Sequence, residues 1–280
     1  MKDAKLSSLI NILKKMGSAV LAYSGGVDST LLLKAIQLSG IKALAVTAVS
    51  ETMPKDDLLN AKKMAKEIGV EHKVIKTTEL KNKNFLKNPA NRCFYCKDEL
   101  FGKLRKIADK EGYKFIIDGS NLDDVADWRP GRKAALKRGV MSPLIEAGLG
   151  KENIRKLSLR LKLPTWDKPS SPCLASRFPY GEEITGKALR QVAGAEKFLK
   201  SIGFIEFRVR HHGDLARIEL RENDFKKLVL PGIRSAVIGK LKSLGYKFIS
   251  LDLEAFRSGR MNEGLNKKIR FAEGNKARQA

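Results

Sequence analysis

The sequence predicts an α/β protein: a parallel-sheet domain over residues 1–165, then a smaller α+β domain over 166–262 and a basic, partly disordered tail over 263–280. Three observations carry this. Short apolar runs alternate with amphipathic helical segments through the first half, the rhythm of parallel strands covered on both faces by helices. A Gly-rich turn links the first of these strands to the next helix. Beyond residue 165 the alternation gives way to a Pro/Ser-rich loop and then to a hairpin pattern.

The elements follow in order. Leu6, Leu9, Ile10, Leu13 and Met16 recur at helical spacing, so a helix is expected over 3–16. Ser18 to Tyr23 reads as a buried strand, and residues 29–39 as a helix ended by Gly40. A strand at 42–49, a helix at 55–68 closed by Gly69 and a strand at 71–76 come next. A helix at 97–111 and a strand at 113–118 continue the pattern, and a further helix ends at Leu163-Pro164. In the second domain a helix is expected over 187–202, with Ala188, Val192, Ala195, Phe198 and Leu199 on one face. Strands at 204–211 and 215–220 flank His212-Gly213-Asp214 as a hairpin, and a helix at 233–244 and a strand at 246–252 complete the unit.

Composition bounds the function. With 280 residues, 42% of them hydrophobic, the chain can build two cores. No apolar run approaches the roughly 18 residues of a membrane span, and the N-terminus enters a helix with no signal-peptide core, so a soluble cytoplasmic protein is expected. The net charge of +24 attracts polyanions of any kind, or reflects a Lys-rich solvated surface, and names no partner by itself.

The turn at Ser24-Gly25-Gly26-Val27-Asp28-Ser29 holds the chemistry. Two glycines let the backbone approach an anion, and the N–H groups and dipole of the following helix favour a phosphate there. Asp28 would repel that phosphate unless a cation bridges them, which points to Mg²⁺. The Lys-Ser/Thr ending of a Walker loop and the third Gly of a dinucleotide fingerprint are both missing. An ordinary β–α turn is the alternative. Ser-Gly-Gly-Val-Asp-Ser after an apolar strand resembles the PP-loop of the ATP pyrophosphatases, which implies a Rossmann-like domain that cuts ATP to AMP and pyrophosphate to activate an oxygen. Asp118 to Asp124 ends a later strand, where ligands bind in open sheets; the resemblance assigns Gly119 and Asn121 to ATP binding.

Cys93, Cys96 and Cys173 are the only cysteines. Cys93-Phe94-Tyr95-Cys96 suits a redox pair, half of a zinc site or chance, and three thiolates also suit an iron–sulfur cluster with one open iron. Three unrelated buried thiols remain the plain alternative.

The PP-loop together with Asp127–Ala134, Ser142–Gly148, Leu163–Pro169, Cys173–Gly181, Arg208–Glu219 and Phe256–Arg260 resembles the LarE family from about residue 5 to 262. That resemblance implies sulfur insertion into pyridinium-3,5-biscarboxylic acid mononucleotide for the nickel-pincer nucleotide cofactor of lactate racemase: ATP adenylates a carboxylate, and sulfur displaces AMP. The single-cysteine form gives up the sulfur of the residue at the position of Cys173. This chain adds Cys93 and Cys96 and looks like the branch in which three thiolates hold a 4Fe–4S cluster that carries sulfide from a donor. The resemblance further implies Cys173, Asp28 and Arg177 as catalytic residues. Ser176, Arg177, Glu196, Arg208, Arg210, Glu219 and Arg257 would bind the polyanionic substrate, and a homo-oligomer is expected. Trp128 and Trp166 are expected to pack rather than to bind.

The rivals are a 4Fe–4S-dependent tRNA thiolase, which +24 would suit, and a non-catalytic sulfur or nucleotide carrier. The absence of an added RNA-binding module sets nucleic acid aside.

Overall fold

The computed structural model describes residues 3–125, 129–169, 171–257 and 259–263; Trp128 and the expected tail beyond Glu263 lie outside them. The described residues cluster into two compact units, one of Met1–Glu79 with Asn91–Ser171 and one of Leu80–Ala90 with Pro172–Ala280. Residues 80–90 thus go with the C-terminal unit, although the first domain was expected to run unbroken to 165.

The first unit runs α1 (Ala4–Met16), β1 (Ser18–Ala22), α2 (Val27–Ser39), β2 (Lys42–Val49), α3 (Lys55–Ile68) and β3 (His72–Lys76). After the excursion through α4 (Lys83–Leu86), which belongs to the second unit, come α5 (Arg92–Glu111), β4 (Phe115–Asp118), α6 (Pro130–Lys137), α7 (Pro143–Glu146) and α8 (Lys151–Arg160). The four strands form one parallel sheet in the order β3-β2-β1-β4, as the alternation predicts. Period-two alternation puts Ala19 and Leu21 of β1 into one apolar cluster, with Leu9, Leu13 and Leu31–Leu33 of α1 and α2. Val20 joins the opposite cluster, with Phe101 and Leu104 of α5. Both faces are therefore covered.

The second unit contains α9 (Gly186–Ser201), β5 (Phe207–His212), β6 (Leu215–Leu220), α10 (Phe225–Val229), α11 (Pro231–Ser243) and β7 (Phe248–Leu251). Strands β5 and β6 make the expected antiparallel hairpin, and β7 adds parallel to β6. Phe204, Val209, Ile218, Leu241 and Tyr246 fill its core.

Three strands start two or three residues later than the pattern suggests, for one shared reason. Tyr113, Phe204 and Tyr246 follow Gly112, Gly203 and Gly245, all at positive φ, and their N–H groups donate five residues back to the carbonyls of Ala108, Leu199 and Leu241. They close helices rather than open strands. Helix α5 begins five residues earlier than expected, because Phe94 packs against the α5 side of the sheet and extends the apolar face backwards. The 119–165 stretch holds three helices where one was expected, two of them with Pro in the first turn. Trp166, expected to pack, is 39% exposed, since its segment is a surface turn whose carbonyl is held by Arg155 Nη1 at 2.7 Å.

Gly119 has no room for a side chain, because a Cβ there would lie 3.0 Å from Ser29 N and 3.1 Å from Ser29 Cα. Gly119→Ala is expected to push the two loops apart and cost about 1–3 kcal/mol. At roughly 2–4 °C per kcal/mol in a chain of this size, thermal melts followed by circular dichroism will show the drop.

A candidate nucleotide site and an arginine-lined cavity

In the order β3-β2-β1-β4 the chain winds outward in both directions from the boundary between β1 and β4, and that is where open α/β sheets bind ligands, beyond the carboxyl ends of the strands. The loops leaving β1 and β4 line this crevice. Gly25 is at φ +69°, and a Cβ on it would stand 2.9 Å from Ala61 Cβ of α3, so only glycine fits the turn. Gly26 is the N-cap of α2 and makes no side-chain cap. The first-turn N–H groups therefore face the crevice without intrahelical partners. Ser24 Oγ lies 3.1 Å from Ser29 Oγ, and Ser29 Oγ donates to the Gly26 carbonyl at 3.2 Å, which holds the loop in an open curve. Thr30 is fully buried behind it, its hydroxyl 3.4 Å from Tyr23 Oη.

Asp28 points from the first turn of α2 to two residues outside the loop. Asn121, 1% exposed, approaches Asp28 Oδ1 with Nδ2 at 3.5 Å, and Lys151 Nζ lies 2.7 Å and 2.5 Å from the two carboxylate oxygens. The β4 loop is itself tied down: Asp118 accepts from Ser120 N, Ser120 Oγ and Ser142 Oγ at 2.8–3.1 Å, and Asn121 N donates to Asp124 Oδ2 at 3.0 Å. On the other flank Lys168 Nζ donates to the Gly25 carbonyl at 3.2 Å and to Asp57 Oδ1 at 3.0 Å, while Ser171 Oγ donates to Asp57 Oδ2 at 2.8 Å.

Cys93 and Cys96 sit in the first two turns of α5, three residues apart and so on one face. Cys93 is exposed and Cys96 half-buried. Cys173 belongs to the second unit, exposed at the head of the 3₁₀ turn Leu174–Arg177. Among the described residues no three His, Cys, Asp or Glu side chains converge as a preformed metal site.

Behind Cys173 the second unit holds a network of arginines and carboxylates. The Arg177 guanidinium makes a bidentate pair with Glu196 at 2.9 and 2.8 Å and donates to the carbonyls of Pro172 and Cys173 and to Ser176 Oγ. Glu196 Oε1 also accepts from Val209 N at 3.1 Å. Arg210 donates to the Ser176 carbonyl at 2.8 Å and to Glu219 Oε2 at 2.8 Å. Glu219, fully buried, also receives Arg217 at 3.4 Å, and Arg260 Nη1 lies 3.8 Å away. Arg208 stacks over the Phe256 ring at 4.7 Å and donates to the Phe207 carbonyl. Burial, reinforced by the Arg177 charge, pulls its guanidinium down to about 10. Arg257 is exposed and pairs with Glu254 and Glu263.

A cavity of about 320 Å³ opens among these groups, with Ser176, Arg177, Arg210, His212, Arg217, Glu219 and Arg260 in its wall. Among the described residues four buried wall nitrogens, Arg210 Nε, His212 Nε2, Arg217 Nε and Arg260 Nη1, lack a hydrogen-bond partner, and the last two lie at ion-pair distance from Asp252 Oδ2. The wall arginines are balanced by Glu196, Glu219, Asp252 and Glu254, so what the cavity offers an anion is the donors those pairs leave unused rather than an excess of charge.

Comparisons with known proteins find relatives along nearly the whole chain. An uncharacterized protein of Synechocystis sp. is 42% identical over 268 residues, covering 95% of this chain and 100% of its own. The pyridinium-3,5-bisthiocarboxylic acid mononucleotide synthase of Lactiplantibacillus plantarum is 37% identical over 265 residues, 94% of this chain and 95% of that protein. The chain belongs to the LarE family. A probable tRNA sulfurtransferase of Methanothermobacter thermautotrophicus matches more weakly, 25% identical over 160 residues that span 54% of this chain and 41% of that protein. No family model matches the chain.

For this LarE-family chain the structure gathers Ser24, Gly25, Gly26, Val27, Asp28, Ser29, Gly119 and Asn121 at one crevice. Of the expected substrate residues, Ser176, Arg177, Arg210 and Glu219 line the cavity, whereas Glu196, Arg208 and Arg257 do not. Arg177 is occupied by five acceptors, the arrangement of a residue that holds the Cys173 turn in shape. Sequence reasoning passed over Lys151, Lys168, His212, Arg217 and Arg260. Arg217 was legible, since it shares a strand face with Glu219 by period two. Lys151 was not, because nothing local marks a lysine that meets a loop so distant in sequence.

Arg177→Met leaves the half-buried Glu196 without its bidentate partner and is expected to cost about 1–3 kcal/mol, while Arg177→Met/Glu196→Met costs less than the single change; urea titration measures both. Burial lowers the pKa of His211 and His212, so both are held neutral when folded. The unfolded chain then binds more protons, and stability present above about 6.5 is lost as pH falls below it. Melting temperature against pH should show this slope, reduced in His211→Gln.

Proposed function

We propose that this LarE-family protein is an ATP-dependent, AMP- and pyrophosphate-forming sulfur transferase. Its substrate is pyridinium-3,5-biscarboxylic acid mononucleotide, whose carboxylates become thiocarboxylates for the nickel-pincer nucleotide cofactor. The observation that carries the reading is the full-length relationship to the mononucleotide synthase, with the Ser24–Ser29 loop kept open at the head of α2. The arginine-lined cavity supports it, because a mononucleotide with two carboxylates needs hydrogen-bond donors for several anionic oxygens.

In this mechanism the loop N–H groups and Ser24 and Ser29 hydroxyls hold the ATP phosphates, and Asp28 would hold Mg²⁺ beside them. A substrate carboxylate oxygen attacks the α-phosphorus, the bond to the β-phosphate bridge breaks, and pyrophosphate leaves. Donors aimed at the departing charge lower that barrier. A sulfide sulfur then bonds to the acyl carbon of the adenylate, and AMP leaves with the C–O electron pair. The donor set of Cys93, Cys96 and Cys173 fits a 4Fe–4S cluster in ligand type, and those three residues would hold it. When bound, such a cluster supplies an iron with an open position for sulfide. Arg177 fixes the backbone that presents Cys173, and Arg210, Arg217, Arg260 and His212 anchor the substrate anion. No helix among the described residues is long and apolar enough to cross a membrane.

Incubation of the anaerobically reconstituted protein with ATP, Mg²⁺, sulfide and the pyridinium mononucleotide should yield AMP, pyrophosphate and thiocarboxylate. Product by mass spectrometry only with tRNA, as 2-thiouridine, would instead favour a tRNA thiolase. Iron analysis should give about four irons per chain, lost in Cys93→Ala, Cys96→Ala and Cys173→Ala; stoichiometric zinc without iron would sink the cluster.

A further inference from the structure

Two adjacent glycines make the Gly25–Gly26 peptide easy to turn over, and its direction decides what the loop shows to an anion. A trans peptide points its C=O and its N–H to opposite sides. The Gly25 carbonyl accepts from Lys168 Nζ at 3.2 Å. On the opposite side the Gly26 N–H donates to Ser24 Oγ at 3.4 Å, and Ser24 Oγ in turn lies 3.1 Å from Ser29 Oγ. Lys168 therefore stands behind the loop, while the N–H faces the concave side with the hydroxyls.

A half-turn of this peptide changes ψ of Gly25 and φ of Gly26 together and moves little else. It would carry Gly26 from φ −81° to about +100°, which glycine tolerates and residues with a Cβ do not. The flipped loop would offer a phosphate a carbonyl oxygen in place of a donor. Lys168 is well held against that change. Arg155 of α8 donates to the carbonyls of Trp166 and Lys168 at 2.7 and 3.0 Å. Asp57, in the first turn of α3, accepts from Lys168 Nζ at 3.0 Å and from Ser171 Oγ at 2.8 Å. Only 21% of the Lys168 side chain is exposed, so its ammonium is confined between Asp57 and the Gly25 carbonyl.

We propose that Lys168 is a positioning residue that locks the Gly25–Gly26 peptide with its N–H toward the ligand, so that the loop is shaped for phosphate before any arrives. A donor already aimed spares binding the cost of ordering it. Lys168 itself touches no phosphate in this arrangement. The proposal rests on reading Ser24–Ser29 as the nucleotide loop.

Equilibrium binding of inorganic pyrophosphate to the full-length protein in EDTA tests it without turnover or metal. Lys168→Met should weaken binding ~10- to 100-fold, the effect of exchanging a donor for a misdirected carbonyl. A Cβ on Gly26 meets only Ser24 Oγ at 3.4 Å as the loop stands, and it closes the flipped conformation. Gly26→Ala/Lys168→Met should therefore bind pyrophosphate at least about 3-fold more tightly than Lys168→Met, a coupling that loss of a direct contact would not produce. Unchanged binding in Lys168→Met overturns the proposal. So does a double variant that binds no more tightly than Lys168→Met, which would make Lys168 a phosphate ligand or a support of the loop as a whole. In either case pyrophosphate binding by the wild type leaves the nucleotide reading standing. Wild-type protein that binds no pyrophosphate overturns both.

Discussion

The close approach of two loops at the carboxyl edge of β1 and β4 is the constraint on which the first unit depends. Adjacent parallel strands deliver their loops to the same edge, and Gly119 lets the β4 loop press onto Ser29 while Gly25 lets the β1 loop press onto Ala61. With any larger residue the loops would separate, and the crevice would lose its width and its aim. The α2 terminus that this packing exposes acquires its functional character from there: hydroxyls on one side, Asp28 on the other, and cations from distant segments closing the ring.

Those cations follow a common logic. Lys151 and Lys168 each pair with an aspartate, Asp28 and Asp57, and each touches the loop or its carboxylate. Fixed positive charge near an anion site is useful only if it does not hold the loop shut when empty, and an aspartate partner meets that need. The second unit solves the opposite problem. Arg177 and Arg210 are buried and Arg260 largely so, and Glu196, Glu219 and Asp252 serve mainly to hold those guanidinium groups in place. The cavity is what remains when those pairs leave Arg210 Nε and His212 Nε2 unused.

Much of this was legible before any coordinates. Period-two and helical patterning located the parallel strands and the hairpin, because burial imposes those periods directly on residue type. The errors fell where a residue's role depends on a hydrogen bond rather than on its hydrophobicity. Tyr113 and Phe204 look like strand residues and serve as helix closures, and Phe94 looks like part of a loop and belongs to α5. The assignment of residues 80–90 to the second unit left no trace in the pattern, since packing partners distant in the chain impose no local period.

By itself the sequence determined the α/β class, the Gly-rich loop with its two glycines and one aspartate, the set of three cysteines and the blocks that resemble the family. Local chemistry suffices for these, because backbone freedom, helix polarity and thiol identity are properties of single residues and short runs. Only the tertiary structure decided which charges meet. It turned Arg177 into the brace of the Cys173 turn, set Arg208 over Phe256, gathered Arg217, Arg260 and His212 around one cavity, and brought Lys151 to Asp28. Electrostatic partnership is a matter of distance in space, and Asp28 of the Gly-rich loop finds its counter-charge on a helix that the loop's own sequence cannot foretell.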